Sequence, residues 1–147
     1  MGEPPILPHD PGCIFFRIVA GLIPCHKLYE NDTLLCFLDI GPVVPGHTLV
    51  VPKSHYHNVF DVPAELLGHL GQFLPAVAKA VTAAVEAPAC HILLNNGSEA
   101  MQSVLHLHYH IIPRKHGDTF YVPWRPGRLD VDTARDLIVR IAKRLES

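Results

Sequence analysis

Three histidines at alternate positions, His106, His108 and His110, are interleaved with Leu105, Leu107, Tyr109 and Ile111. An extended chain sends successive side chains to opposite faces, so this spacing puts three imidazoles in one row and the apolar set on the other side. On a helix the same residues would splay around about half the circumference, and the β-branched and aromatic neighbours favour a strand. Such a segment must pack on one face and do something else on the other. Histidine is the side chain best suited near neutral pH to act as nucleophile, acid, base or metal ligand. Residue types alone leave three readings open: a polar sheet surface in a chain with 11 histidines in 147 residues, a metal site, and a metal-free catalytic row.

The length is that of one domain with a real core, and 48% apolar against 18% charged residues is a globular composition. Residues 1–12 hold four prolines and read as an extended lead-in, leaving 13–147 as a single domain. Net charge is −2, and basic residues gather only in the last predicted helix. No nucleic-acid partner is expected from such a charge pattern, although a mononucleotide site needs no basic surface. No apolar run is long enough to span a membrane, and the first residues carry no export signal. Cys13, Cys25, Cys36 and Cys90 are scattered among apolar neighbours, as expected of free thiols in a reducing, cytoplasmic setting.

Helical spacing of Ile14, Phe15, Ile18 and Val19 predicts a short helix over Cys13–Gly21. Three strands follow, over His26–Glu30, Thr33–Asp39 and His47–Pro52, joined briefly enough to run antiparallel. Asp61 reads as the N-cap of a long helix reaching about Glu86, with a kink or break at Pro75. A fourth strand over Cys90–Asn95 precedes the histidine strand. After an irregular segment containing Tyr121, Pro123 and Trp124, a final helix covers Asp132–Leu145. His55 and His57 fall in a loop and read as solvated or partner-facing. The fold class is α+β: an antiparallel sheet of about five strands covered on one side.

The run from Gln102 to Arg114, with Phe37-Leu38-Asp39-Ile40, the Pro45–Lys53 segment containing His47, and Asn95-Asn96-Gly97, resembles the histidine-triad (HIT) family in order and spacing over residues 13–116. The resemblance implies a HIT-like fold and makes His108 the nucleophile. It has His110 hold a phosphoryl oxygen or the departing group, and His106 steady the row with His47 behind it. For His108 to attack through Nε2, its Nδ1 should donate to a backbone carbonyl in the following residues. The resemblance further implies that Asp39 accepts from ribose hydroxyls and that Ile14, Phe15, Ile18, Phe37 and Ile40 line a base pocket. Asn95, Gln102 and Ser103 are polar groups placed to stabilise the charge of phosphate or leaving group. Some relatives bind zinc through Cys-x-x-Cys at the first helix. Here Phe16 replaces the second cysteine, so no metal and no cofactor are expected. Met101 stands where relatives commonly have glycine.

The branch most resembled cleaves nucleoside 5′-phosphoramidates through a nucleotidyl-histidine, releasing a monophosphate such as AMP from a purine nucleotide derivative. Pro113-Arg114-Lys115 also resembles the dinucleoside polyphosphate hydrolases, whereas nucleotidyl transfer to a sugar phosphate would call for glutamine at position 110. From other classes, a metal-dependent hydrolase and a non-catalytic nucleotide sensor or scaffold remain open. Family members commonly form homodimers that join two sheets edge to edge with the long helix in the interface, and the apolar stripe of residues 64–86 suits that role.

Overall fold

The computed structural model describes residues 10–120 and 125–147. The first nine residues of the predicted lead-in, and Tyr121, Pro123 and Trp124, lie outside the described residues. The order along the chain is α1 (Ile14–Val19), β1 (His26–Glu30), β2 (Leu34–Leu38), β3 (Thr48–Pro52), α2 (Ala64–Ala84), β4 (Ala89–Leu94), β5 (Tyr109–Arg114) and α3 (Val131–Leu145). The five strands form one antiparallel sheet in the order β1-β2-β3-β5-β4. The family's α+β architecture is thus present.

Short connections set this order. The Asn31 side chain accepts from the Thr33 and Leu34 amides at 2.8 and 2.9 Å and closes the β1–β2 turn. β2 and β3 are buried almost throughout, because both faces of the sheet are covered where they run. On one face Leu34, Cys36, Val50, Leu107 and Ile111 pack against Leu70, Val77 and Val81 of α2. On the other, Phe15 and Cys13 pack against Leu35, Phe37, Leu49 and Val51. The site lies on this second, thinner side.

Three features differ from expectation. The Asp61 carboxylate accepts from the His57 and Asn58 amides, both at 3.0 Å, and so closes the preceding turn; α2 starts at Ala64 behind Pro63 with no side-chain cap. Pro75 does not end α2, which runs unbroken to Ala84 with the ring on its exposed side. The histidine segment becomes a strand only from Tyr109. Ahead of it, the Leu107 amide donates at 2.7 Å to the Tyr56 carbonyl in the loop after β3, so no ladder can form there. The alternation survives without the ladder: Leu107 and Ile111 enter the α2-side core, whereas the ring of His108 meets Phe15 beneath α1.

Gly46 sits where β3 begins, at φ +92, and a Cβ there would meet Val85 Cγ1 at 2.9 Å and Pro113 Cγ at 3.1 Å. Both neighbours are packed, and an L-residue resists that backbone angle. Gly46→Ala is expected to destabilise the fold by about 2–4 kcal/mol, combining a left-handed backbone with overpacking. Urea unfolding checks this, and a loss under about 0.5 kcal/mol would show that the β2–β3 loop and the end of α2 move apart freely.

Candidate active site

Burial decides the chemistry of the histidines. His106 is fully buried, His108 and His47 are 4% exposed, and His110 is partly buried. Removing an imidazole from water penalises its charged form. Burial accordingly lowers the pKa of His47, His55 and His108, and takes His106 and His110 down to about 4. At neutral pH the row is uncharged, so each ring has one N–H donor and one lone pair, and its neighbours decide which nitrogen carries which.

The partners leave little choice. His108 Nδ1 lies 2.6 Å from the His106 carbonyl oxygen, which can only accept, so Nδ1 holds the proton and Nε2 presents its lone pair. The acceptor stands two residues before His108, not after it as the sequence suggested; the chain short of β5 is free of the ladder and can turn its carbonyl inward. The Val43 amide donates at 3.2 Å to His47 Nδ1, which puts the proton of His47 on Nε2. That Nε2–H donates at 2.8 Å to His110 Nδ1, leaving His110 with Nε2–H as a donor. His106 Nε2 donates at 2.8 Å to the Pro52 carbonyl, and its free Nδ1 accepts from His55 Nδ1 at 3.0 Å.

Two assignments change here. His47 was expected behind His106, but it supports His110, because the antiparallel pairing of Leu49 with His110 brings the start of β3 to the third histidine. The support of His106 is His55, expected to be solvated or partner-facing but turned onto His106 and only 9% exposed at its side chain. The loop after β3 folds back over the site through Tyr56 and carries His55 inward. Its His-x-His with His57 was the available signal. His57 itself stays exposed and touches His55 at 5.4 Å between ring centroids.

A cavity of about 240 Å³ opens in front of the row. Its walls include Ile14, Phe15, Ile18, Phe37, Asp39, Ile40, Ser103, His108 and His110, together with Pro24 and Leu49, which sequence reasoning did not single out. Phe15 meets Phe37 edge to face at 5.8 Å and His108 at 4.9 Å, so α1 sets both the apolar wall and the orientation of the central ring. One Asp39 oxygen accepts from the Gly41 amide at 2.8 Å, and the other lies 3.7 Å from His47 Nε2. The cavity therefore joins an apolar slot, a carboxylate and a lone pair on His108.

Gln102 and Asn95 are not among the residues that line this cavity. The Gln102 amide group is spent on the loop: its oxygen accepts from Asn58 Nδ2 and the Gly97 amide at 3.1 and 2.9 Å, and its nitrogen donates to the His57 and Val104 carbonyls. It braces the approach to the row instead of contacting ligand. Beside it Met101 adopts φ +65, the left-handed backbone for which glycine is suited, and the loop keeps that conformation without one.

Behind the row Cys13, His55 and His106 bring one donor atom each within 4.8 Å of one another, with Cys13 Sγ 3.6 Å from His106 Nδ1. One thiol and two imidazoles suit zinc. His55 Nε2 is buried without a hydrogen-bond partner, 3.9 Å from Asp10 Oδ2. Phe16 supplies no fourth donor, so this cluster offers three among the described residues where a closed structural site uses four.

The chain is similar to known proteins over nearly all of its length. Protein hit of Bacillus subtilis is 43% identical over 92% of this chain and 95% of its own. Adenosine 5′-monophosphoramidase HNT1 of Saccharomyces cerevisiae is 35% identical over 93% and 85%. The crystal structure of SMU.412c from Streptococcus mutans UA159 superposes with a TM-score of 0.90 at 35% identity, over 93% of this chain and 87% of that one. Residues 20–117 match the HIT domain, and the chain belongs to the HIT family.

Proposed function

We propose that the protein hydrolyses nucleoside 5′-phosphoramidates, or closely related nucleotide derivatives, at the α-phosphorus. The observation that carries this reading is the 2.6 Å contact from His108 Nδ1 to the His106 carbonyl, which aims a neutral Nε2 lone pair into the cavity. The reading also draws support from the yeast relative named as an adenosine 5′-monophosphoramidase.

In the first step His108 Nε2 bonds to phosphorus and the P–N bond to the departing amine breaks. The amine takes that electron pair and a proton from solvent. In the second step water oxygen bonds to phosphorus, loses a proton to solvent, and the His108–phosphorus bond breaks, returning the neutral ring and releasing a nucleoside monophosphate. His110, with its proton on Nε2, donates to a phosphoryl oxygen, and the partly screened charge of the transition state gains most from a donor already in position. Asp39 has oxygens facing the cavity to accept from ribose, while Phe15, Ile18 and Phe37 hold the base. Zinc, where bound by Cys13, His55 and His106, would fix the first ring as a structural ion. His108 and His110 do their work from separate contacts. The active unit is proposed to be a cytoplasmic homodimer.

His108→Ala is expected to lower turnover of adenosine 5′-phosphoramidate at least 10⁴-fold, the range for loss of a nucleophile, while AMP still binds. Rapid quenching of the unaltered enzyme should trap a nucleotidyl group on His108. Undiminished turnover by the variant would remove the covalent route.

Acid should act through the buried rings. With pKa values lowered from 6.5 and reaching about 4 at His106 and His110, the acid limb of kcat/KM should fall below pH 6.5, since the free enzyme keeps a neutral His108 down to there. Stability has the same sign. These groups bind fewer protons folded than unfolded, so their contribution is complete above pH 6.5 and is lost as pH falls toward 4. A pH–rate profile and urea midpoints across pH 4–8 check both; an acid limb above 6.5 would mean that the row is charged at rest.

A further inference from the structure

α3 is an amphipathic helix, and none of its side chains is buried by the described residues. Asp130 caps it, accepting from the Thr133 amide at 3.0 Å, and Val131, Ala134, Ile138, Ile141 and Leu145 recur on one side. None of its residues is buried; Ile138 is 66% and Leu145 82% exposed. Fifteen residues make a marginal helix in water when unsupported, so the stripe needs a surface to lie on.

The same fold carries a surface of matching kind. A five-stranded sheet is roughly 19 Å across its strand axes, and one helix is about 10–12 Å wide. α2 lies over β3, β5 and β4. Beside it β1, the end of β2 at Leu38 and the flank of α2 form an apolar groove of about 650 Å³, while Leu34 and Cys36 of β2 are packed against α2. Leu28 and Tyr29 of β1 line one wall, both nearly half exposed, with Tyr29 stacked on Phe73 at 4.8 Å. Ala76, Ala80 and Ala84 line the other at four-residue spacing, a ridge low enough for a second helix to approach closely. From Phe73 to Val85 the groove runs about 18 Å along α2, and the stripe on α3 is about 21 Å long.

The chain after β5 is held at the edge of the sheet opposite the β1 wall of the groove. Arg114 holds Asp118 through two hydrogen bonds of 2.7 and 2.8 Å and stacks over Phe120, which also meets His91 of β4. This pins the outgoing chain at the β4 border of the sheet, opposite β1. We infer that α3 docks in the α2–β1–β2 groove of a second copy, and that the second copy returns its own α3 to the first. If the two sheets meet at their β4 edges, β4 of one copy and β2 of the other are four strand spacings apart, roughly 19 Å. Residues 121–130 span up to about 33 Å when extended. Burying five apolar side chains at roughly 100 Å² each, with an equal area of groove, gives about 1,000 Å² per exchanged helix. Two such contacts reach about 2,000 Å², the size of a stable interface.

The inference builds on the homodimer proposed above, and the experiment separates the two. Ala80→Cys chains and Ile141→Cys chains, each also carrying Cys25→Ser and Cys90→Ser, are co-expressed with different tags and treated with a short bismaleimide. Sedimentation of the untreated full chain at micromolar concentration gives the oligomeric state. The expected result is a dimer in which the two tagged chains become covalently joined through residues 80 and 141. Ile141→Arg should raise the dimer dissociation constant at least tenfold. A monomer removes dimer and exchange together. A dimer with no cross-link between chains removes the exchange alone, and in a third variant that carries Ala80→Cys and Ile141→Cys in one chain, a link formed only within that chain overturns the exchange by showing that α3 occupies its own groove.

Discussion

Desolvation of the imidazoles is the constraint from which the site's chemistry follows. A charged histidine in these positions would lose much of its hydration, so the rings stay neutral, and neutrality forces each to choose one nitrogen for its proton. Backbone groups make that choice at three points: the His106 carbonyl for His108, the Val43 amide for His47, and the Pro52 carbonyl for His106. Once these are fixed, the His47–His110 and His55–His106 contacts can be made in only one sense. A lone pair on His108 beside a proton on His110 is therefore a property of the fold before any nucleotide arrives.

What was readable in the sequence follows from what is local. Strand boundaries from His26 to Pro52 come from alternation and turn residues, and the structure reproduces them within about a residue. The histidine alternation placed Leu107 and Ile111 in one core and His108 opposite, although the ladder begins only at Tyr109. The cavity walls at Phe15, Phe37, Asp39 and Ser103 were nameable through the family's motifs. The supports were not. Which histidine His47 reaches depends on the register between β3 and β5, and the inward turn of His55 depends on the Tyr56 carbonyl meeting the Leu107 amide. Both are pairings between segments more than fifty residues apart, and no periodicity records them.

Gln102 shows the same limit in another form. Its position beside the histidine run suits a phosphate contact, and the side chain could donate to one. In the fold it meets four loop groups at once, so turning toward a ligand would leave two backbone carbonyls and an amide unpaired. Such unmade hydrogen bonds cost about 1–3 kcal/mol apiece, more than a single solvent-facing contact returns. The bracing role wins on energy, and Ser103, exposed and on the cavity wall, is left as the polar group free to face a ligand.

The run from Leu107 to Ile111 also explains why so small a site can be well defined. Leu107 and Ile111 are fully buried among Val50, Leu70 and Val81, so the backbone that carries His108 and His110 is anchored by the larger core under α2. Close packing leaves that backbone no room to slide. Movement of His108 by an ångström would have to open the main core, whereas the opposite wall belongs to α1, a helix of six residues with one buried side chain. Rigidity is thus unequal across the cavity: the His108 and His110 rings are held by the core, and the facing apolar wall rests on a short helix, which is where the cavity can yield.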